Sequence, residues 1–212
     1  VTSTVGYAES SWAQGAPPVP DVTPGELAAL HSRLVERAGG EGLLDVAYRT
    51  LDSPLGALLV AATPVGVVRV AFAVQDHEQV LADLAARVSP RVLHAPGVLD
   101  VVAHELEEYF AGTRRTFDVA LDLRLAQGFR REVVQHLTAV PYGRTASYAA
   151  MATEVGRPRA VRAVGTACAL NPLPLLLPCH RVVRSDGTPG RYAGGERAKH
   201  TLLALERAGR AH

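Results

Sequence analysis

Asn171-Pro172-Leu173-Pro174-Leu175-Leu176-Leu177-Pro178-Cys179-His180-Arg181-Val182 is the stretch from which the rest of this 212-residue chain is read. A short apolar run broken by prolines ends in Pro-Cys-His-Arg. Proline cannot sit in a helix interior or a central strand. The run therefore reads as a buried loop that delivers a cysteine beside a histidine. The thiolate is the nucleophile of cysteine chemistry, and adjacent cationic or proton-accepting groups lower the thiol pKa from about 8.5. Cys179 is the candidate nucleophile. Cys168 lies in a helical run of alanines and reads as a small core hydrophobe.

Upstream, Phe129, Val133, Val134 and Leu137 mark a helix over about 128–139. Val140-Pro141-Tyr142-Gly143 is a turn. Ser147 caps a short helix, Tyr148–Val155, which Gly156-Arg157-Pro158 breaks. A second helix is expected from Pro158 to Leu170. Helix, short glycine-containing turn, helix is the spacing of a helix-turn-helix. The second helix carries Arg159 and Arg162 among Ala160, Ala163, Gly165, Thr166, Ala167 and Ala169. Such small side chains suit either tight packing inside the protein or close approach to a nucleic-acid groove. Downstream come a hairpin at Ser185-Asp186-Gly187, the glycine-rich loop Gly190–Gly195 and a last helix.

Toward the N-terminus, residues 1–22 read as a flexible tail that includes Trp12. A helix starts at Thr23-Pro24-Gly25-Glu26, with Thr as cap, Pro in the first turn and Glu three residues after the cap. Leu27, Leu30 and Leu34 form its apolar face. Strands follow near Val46–Tyr48, at Ala57–Ala62 and at Val67–Phe72, joined by short turns as an antiparallel meander. Helices over Asp76–Val88 and Val98–Phe110 come next, then a strand at Phe117–Leu121. This unit reads as a scaffold without reactive groups, and His77, His94 and His104 share no metal-ligand spacing.

Composition sets limits. No apolar run reaches the roughly 18–20 residues of a membrane span, and no basic-then-apolar leader opens the chain. Two cysteines eleven residues apart make neither a disulfide scaffold nor a Cys-x-x-Cys pair, so a reducing, cytoplasmic location is expected. The net charge of +1 hides an asymmetry. Residues 1–129 hold 9 Lys/Arg and 16 Asp/Glu, a net −7, whereas residues 130–212 hold 13 and 5, a net +8. A reversal of that size suggests two domains, one facing a polyanion.

Pro178-Cys179-His180-Arg181-Val182 resembles the active-site signature of the O6-alkylguanine-DNA alkyltransferases, the methylated-DNA–protein-cysteine methyltransferases. Val140-Pro141-Tyr142-Gly143 with Ser147-Tyr148, Arg162-Ala163-Val164-Gly165, Asn171-Pro172, Gly190-Arg191-Tyr192-Ala193-Gly194-Gly195, Lys199, Leu202-Leu203 and Glu206 are similar to that family in order and spacing. Tyr48–Gly56 resembles the start of its N-terminal domain. The resemblance implies stoichiometric, irreversible transfer of an alkyl group from O6-alkylguanine in duplex DNA, with O4-alkylthymine as a second substrate, to Cys179. It implies no cofactor; some members of the family hold a structural zinc in the N-terminal domain, but with no cysteine before Cys168 no metal is expected here. His180 takes the thiol proton through a water, Glu206 orients His180, Asn171 braces the turn, and Tyr148 donates a hydrogen bond to the departing guanine. Arg162 fills the space left by the extruded base. Arg159, Ala160, Ala163 and Gly165 lie with it along the minor groove, and Tyr192, Ala193, Gly194 and Val182 line the base pocket.

The expectation is thus an α+β protein: a tail over 1–22, a scaffold domain over 23–125 with a small antiparallel sheet, and a mostly helical domain over 126–212. The second domain holds a winged-helix-like helix-turn-helix. The protein is expected to act as a bacterial, nucleoid-associated monomer with no obligate protein partner. Two other readings remain, a lesion sensor that binds without reacting and a cysteine hydrolase. Cys179 itself speaks against the first, and the unexplained remainder of the motif set speaks against the second.

Overall fold

The computed structural model describes residues 22–209. The expected tail, Trp12 included, lies outside the described residues except for Val22. The first helix, α1 (Pro24–Gly40), begins as the sequence requires: Thr23 Oγ1 accepts from the Glu26 N–H at 3.2 Å, and Glu26 accepts from the Thr23 N–H at 2.9 Å. Its leucine stripe does not pack as expected. Leu27, Leu30 and Leu34 are 63%, 48% and 53% exposed. The helix meets the body only along one flank, where the His31 ring approaches His94 and Val35 touches the core.

Strands β1 (Val46–Leu51), β2 (Leu58–Thr63) and β3 (Gly66–Phe72) form the expected antiparallel meander. A fourth strand, β4 (Val92–His94), then pairs parallel to β1, so the sheet is mixed, in the order β3-β2-β1-β4. Three residues carry too little alternation to announce that strand. The strand expected at Phe117–Leu121 is reduced to an isolated bridge, Leu121 to Val67. Beneath it Gly66 packs tightly enough that a β-carbon would collide with the Ala120 carbonyl.

The sheet is covered on both faces, as the continuous burial of β2 demands. Val46, Leu59, Ala61, Val68 and Ala71 pack on Val80 and Leu84 of α2 (His77–Arg87). Leu58, Val60, Val70 and Phe72 face α3 (Asp100–Phe110) and the remainder of the chain. A bulge in β3 opposite Ala61 and Ala62 exchanges the faces partway along. That exchange lets Val70 and Phe72 point toward the second half of the molecule.

The second half is mostly helical: α4 (Gly128–His136), α5 (Tyr148–Glu154), α6 (Val161–Ala169) and α7 (Gly195–Ala208), with two short parallel strands, β5 (Ala146–Ser147) and β6 (Val182–Val183). Ser147 caps α5 as expected, its Oγ accepting from the Ala150 N–H at 3.0 Å. Helix α6 is shorter than the sequence suggested. Pro158, Arg159 and Ala160 form the turn and cap before it, and Leu170 follows it. The turn closes through Gly156 at φ 70° and the Arg157 N–H on Ala152 O at 2.8 Å. Val164, Ala167 and Cys168 face the core, which leaves Arg162, Ala163 and Thr166 outward. Among the described residues no helix is long and apolar enough to cross a membrane.

Candidate active site and nucleic-acid interface

The loop after α6 positions Cys179, the candidate nucleophile. Leu173, Leu175, Leu176 and Leu177 are buried, and Leu175 adopts a left-handed φ of 75°. That conformation costs a non-glycine residue about 1–2 kcal/mol and is held here by burial on all sides. Asn171 braces the loop from within. Its Oδ1 accepts from the Leu173 N–H at 3.0 Å, and its Nδ2 donates to Leu177 O at 2.8 Å and to Cys179 Sγ at 3.2 Å. Pro178, at φ −79° and ψ 64°, forms an inverse γ-turn closed by the Cys179 N–H on Leu177 O. The edge strand holds the loop from outside, the Val70 N–H donating to Pro172 O at 2.9 Å.

Cys179 is 1% exposed. Its environment differs from the one expected. Burial pushes the thiol up to about 11, and the Asn171 hydrogen bond and the Lys199 charge offset this only in part. Removal from water outweighs the neighbouring donors, so the resting group is the thiol rather than a preformed thiolate. Reaction therefore needs a base at hand.

His180, next in the chain, is the candidate base. Nε2 lies 2.8 Å from Glu206 Oε1, and Nδ1 is buried without a hydrogen-bond partner among the described residues. Burial lowers the imidazole pKa despite the Glu206 carboxylate, so the ring is neutral at pH 7. A neutral ring that donates Nε2–H to Glu206 carries its lone pair on Nδ1.

Glu206 sits on the face of α7 that also buries Lys199, Leu202 and Leu203, a spacing of three and four residues. Arg181 Nη2 and Nε donate to it at 2.9 and 3.0 Å, the Tyr109 hydroxyl at 2.8 Å and the Gly143 N–H at 3.0 Å. Burial alone would raise its pKa. The His180 and Arg181 interactions reverse that and hold the carboxyl down at about 2. Arg181 also donates to Val140 O at 2.7 Å, which ties the network to the turn before β5.

Tyr148 is the first residue of α5 and is half-buried. Burial pushes its phenol up to about 12, so it remains a donor at neutral pH. The Gly190 backbone lies directly against it, and a β-carbon there would overlap the hydroxyl. Lys199 is fully buried, with Nζ donating to Val182 O at 2.6 Å and 3.5 Å from the Tyr148 hydroxyl. Tyr192 is 8% exposed and stacks edge-on against Phe72 and His180. A hollow of about 330 Å3 beside it is lined by Arg184, Pro189, Gly190, Arg191, Tyr192 and Glu196, among others. Ala193 is half-buried, Gly194 packs against Phe72, and Val182 is fully buried within β6. Arg162 and Ala163 are exposed on α6. Arg159 is exposed in the preceding turn, and Ala160 and Gly165 are half-buried.

Residues 46–123 match the family model for the ribonuclease-like domain of 6-O-methylguanine DNA methyltransferase, and residues 128–208 match the model for its DNA binding domain. The chain is 38% identical over 162 residues to a methylated-DNA–protein-cysteine methyltransferase of Mycolicibacterium paratuberculosis, covering 76% of this chain and 93% of that protein. The chain belongs to the 6-O-methylguanine DNA methyltransferase family. A constitutive relative from Bacillus subtilis is 35% identical over 76% of this chain and 94% of its own. The fold is that of the Mycobacterium tuberculosis O6-methylguanine methyltransferase, with a TM-score of 0.68 at 37% identity over 77% of this chain and 93% of that one. A second structure from that organism, in complex with DNA, gives 0.68 at 36% identity over 77% and 94%.

In this family member the sequence reading missed two residues that complete the network. Tyr109 lies in the half taken for an inert scaffold, and its spacing with Leu106 reads as core. Arg181 is visible in the Cys-His-Arg run, but nothing local announces that it grips a carboxylate 25 residues away.

Proposed function

We propose that this protein repairs alkylated DNA by moving the alkyl group from O6-alkylguanine onto Cys179, once per molecule. The observation that carries the reading is a buried thiol held by Asn171, next in sequence to a neutral His180 whose Nε2 is fixed on an ionised Glu206.

The thiol proton passes through a water to His180 Nδ1. The resulting imidazolium is stabilised by Glu206, which already lies against Nε2. Cys179 Sγ attacks the alkyl carbon in line, the S–C bond forms and the C–O6 bond breaks. The electron pair goes to the guanine, where a hydrogen bond from Tyr148 limits the build-up of negative charge. The product is a thioether with no route of release, so the protein is spent.

A stacked base is out of reach of a sulfur that is 1% exposed. The lesion is therefore extruded from the duplex, at a cost of a few kcal/mol that is lower for a base whose pairing is already weakened. Helix α6 lies along the minor groove, only about 6 Å wide, where Ala163 and Gly165 permit close approach. Arg159 and Ala160 enter it from the preceding turn, and Arg162 occupies the vacated stack. Tyr192, with Ala193, Gly194 and Val182 behind it, forms the wall of the base pocket. The division into a scaffold ending near residue 125 and an alkyl-acceptor domain from 126 is supported by the gap between the two family matches.

The test is an intact mass after incubation with a duplex bearing one O6-methylguanine. One methyl group per chain is expected, on Cys179, and absent from Cys179→Ser. Tight binding with no mass change supports a sensor instead, and repeated turnover of an ester or peptide supports a hydrolase.

A further inference from the structure

Arg184 and Arg191 take no part in the chemistry above. Arg184 follows β6 at the base of a hairpin, where its N–H donates to Thr188 O at 2.9 Å. Arg191 lies seven residues on, in the glycine-rich loop. Both are exposed. They share one hollow of about 550 Å3 with Arg162: α6 supplies Arg162 and Gly165, the hairpin and loop supply Arg184, Gly190 and Arg191, and Tyr148 also lines it. No carboxylate lines this hollow among the described residues. The acidic side chain on the same hairpin, Asp186, is hydrogen-bonded to the N–H and hydroxyl of Thr188 at 2.9 and 2.7 Å, and the nearby Arg184 charge also helps hold its carboxyl below the usual range. None of the three arginines is in an ion pair among the described residues. The Arg184 side chain makes one long contact, 3.4 Å to Thr188 Oγ1.

We propose that this hollow is a phosphodiester-binding site, in which Arg184 and Arg191 grip the backbone phosphates flanking the extruded nucleotide, across from Arg162. The inference rests on the repair reading above. Asp186 and Glu196 lie near this group without forming an ion pair with it among the described residues, so three guanidinium forks face one hollow with their donors free to match phosphate oxygens in pairs. Extrusion carries the base inward, but its two phosphates stay outside, because burying them would cost far more than burying the base. They must therefore rest at the mouth, beside Tyr148. Gly190 presses its backbone on that phenol, and Arg191 is the next residue. The clamp is thus built onto the group that faces the departing guanine. Arg162 holds the gap in the duplex from one side, and Arg184 and Arg191 hold the displaced strand from the other.

The experiment compares Arg184→Gln/Arg191→Gln with Arg184→Lys/Arg191→Lys and the parent protein. Binding to a duplex carrying one O6-methylguanine is followed against salt in a Cys179→Ser background, so that the complex does not react. Each phosphate contact contributes about 0.9 to the slope of log K against log salt. The Gln pair lowers that slope by about 1.8, and the Lys pair retains it. With Cys179 restored, the Gln pair loses at least about tenfold more rate on the duplex than on free O6-benzylguanine, as expected for lost charge-assisted hydrogen bonds. A Gln pair with the parent's slope overturns the clamp while the parent still acquires its methyl group. A parent that acquires none overturns the repair reading itself.

Discussion

Tyr109 and Glu206, 97 residues apart in sequence, are joined by a 2.8 Å hydrogen bond between a buried phenol and a buried carboxylate. The bond ties α3, which packs on the sheet, to α7, which carries the carboxylate hydrogen-bonded to His180. The half of the molecule without Cys179 thereby joins the hydrogen-bond network around His180. Phe72 on Tyr192 and the Val70 N–H on Pro172 O repeat the pattern, each joining β3 to a part of the site.

Tyr109→Phe removes one donor to an ionised group and changes little else. Hydrogen bonds to charged groups contribute about 1.5–3 kcal/mol. Glu206 keeps Arg181, His180 and the Gly143 N–H, so a loss near 2 kcal/mol is expected, together with slower alkyl transfer. Urea denaturation and single-turnover kinetics check both. An unchanged midpoint and rate would remove Tyr109 from the network.

The pH dependence follows from Glu206, His180 and Cys179. Glu206 titrates at about 2 when folded against an ordinary 4.5, so its contribution is complete above 4.5 and is lost as pH falls through that window toward 2. His180 is lowered from 6.5, so the unfolded chain binds its proton first and stability declines once pH drops below 6.5. Both act in the same direction, and the denaturation midpoint should fall steadily on acidification from 6.5. The transfer rate should persist somewhat below 6.5, because the folded imidazole stays neutral there. On the alkaline side, a thiol at about 11 predicts no inflection near 8.5. A rate inflection near 8.5 would mean that the thiolate forms freely before reaction.

Gly190→Ala places a β-carbon on the Tyr148 hydroxyl. The loop is at the surface and can shift, so little stability is lost, about 1 kcal/mol or less. Tyr148 has to move with it, so alkyl transfer should fall by at least about tenfold, the equivalent of 1.4 kcal/mol. Thermal melting together with transfer rates separates the two effects. A variant as active as the parent would show that Tyr148 does not need its present place.

Much of this site was legible in the chain because its chemistry is local. Asn171, Cys179, His180 and Arg181 fall within eleven residues, and the prolines around them mark a loop. Glu206 and Tyr148 were reached only through the family resemblance, and the structure joins Glu206 directly to His180. What stayed hidden depends on contacts between distant segments. The Tyr109 hydroxyl finds a carboxylate only after α3 and α7 meet, and a three-residue parallel strand such as β4 exists only because β1 is there to pair with it. The leucines of α1 have helical spacing, yet no described element covers them. Periodicity reports that a stripe is apolar and is silent on what it meets. The thiol is the clearest reversal. Its sequence neighbours suggested a lowered pKa, whereas total burial raises it, and burial is a property of the fold.

Arg162→Ala separates extrusion from chemistry. Arg162 is exposed at the start of α6, at the edge of the hollow that holds Tyr148, and contacts none of Cys179, His180 or Glu206 by hydrogen bond. If its guanidinium holds open the stack, its loss returns part of the extrusion cost, a few kcal/mol, to the barrier for duplex repair. At 1.4 kcal/mol per tenfold this slows transfer from the duplex by roughly ten- to a hundredfold. Free O6-benzylguanine needs no extrusion, so its reaction should slow far less. Rates on the two substrates, taken from the time course of the intact mass, give the ratio directly. A lesion opposite an abasic site, where no partner base or full stack must be broken, should restore most of the lost rate. Equal losses on duplex and free base would place Arg162 in the chemistry or in folding and leave the stack to another side chain.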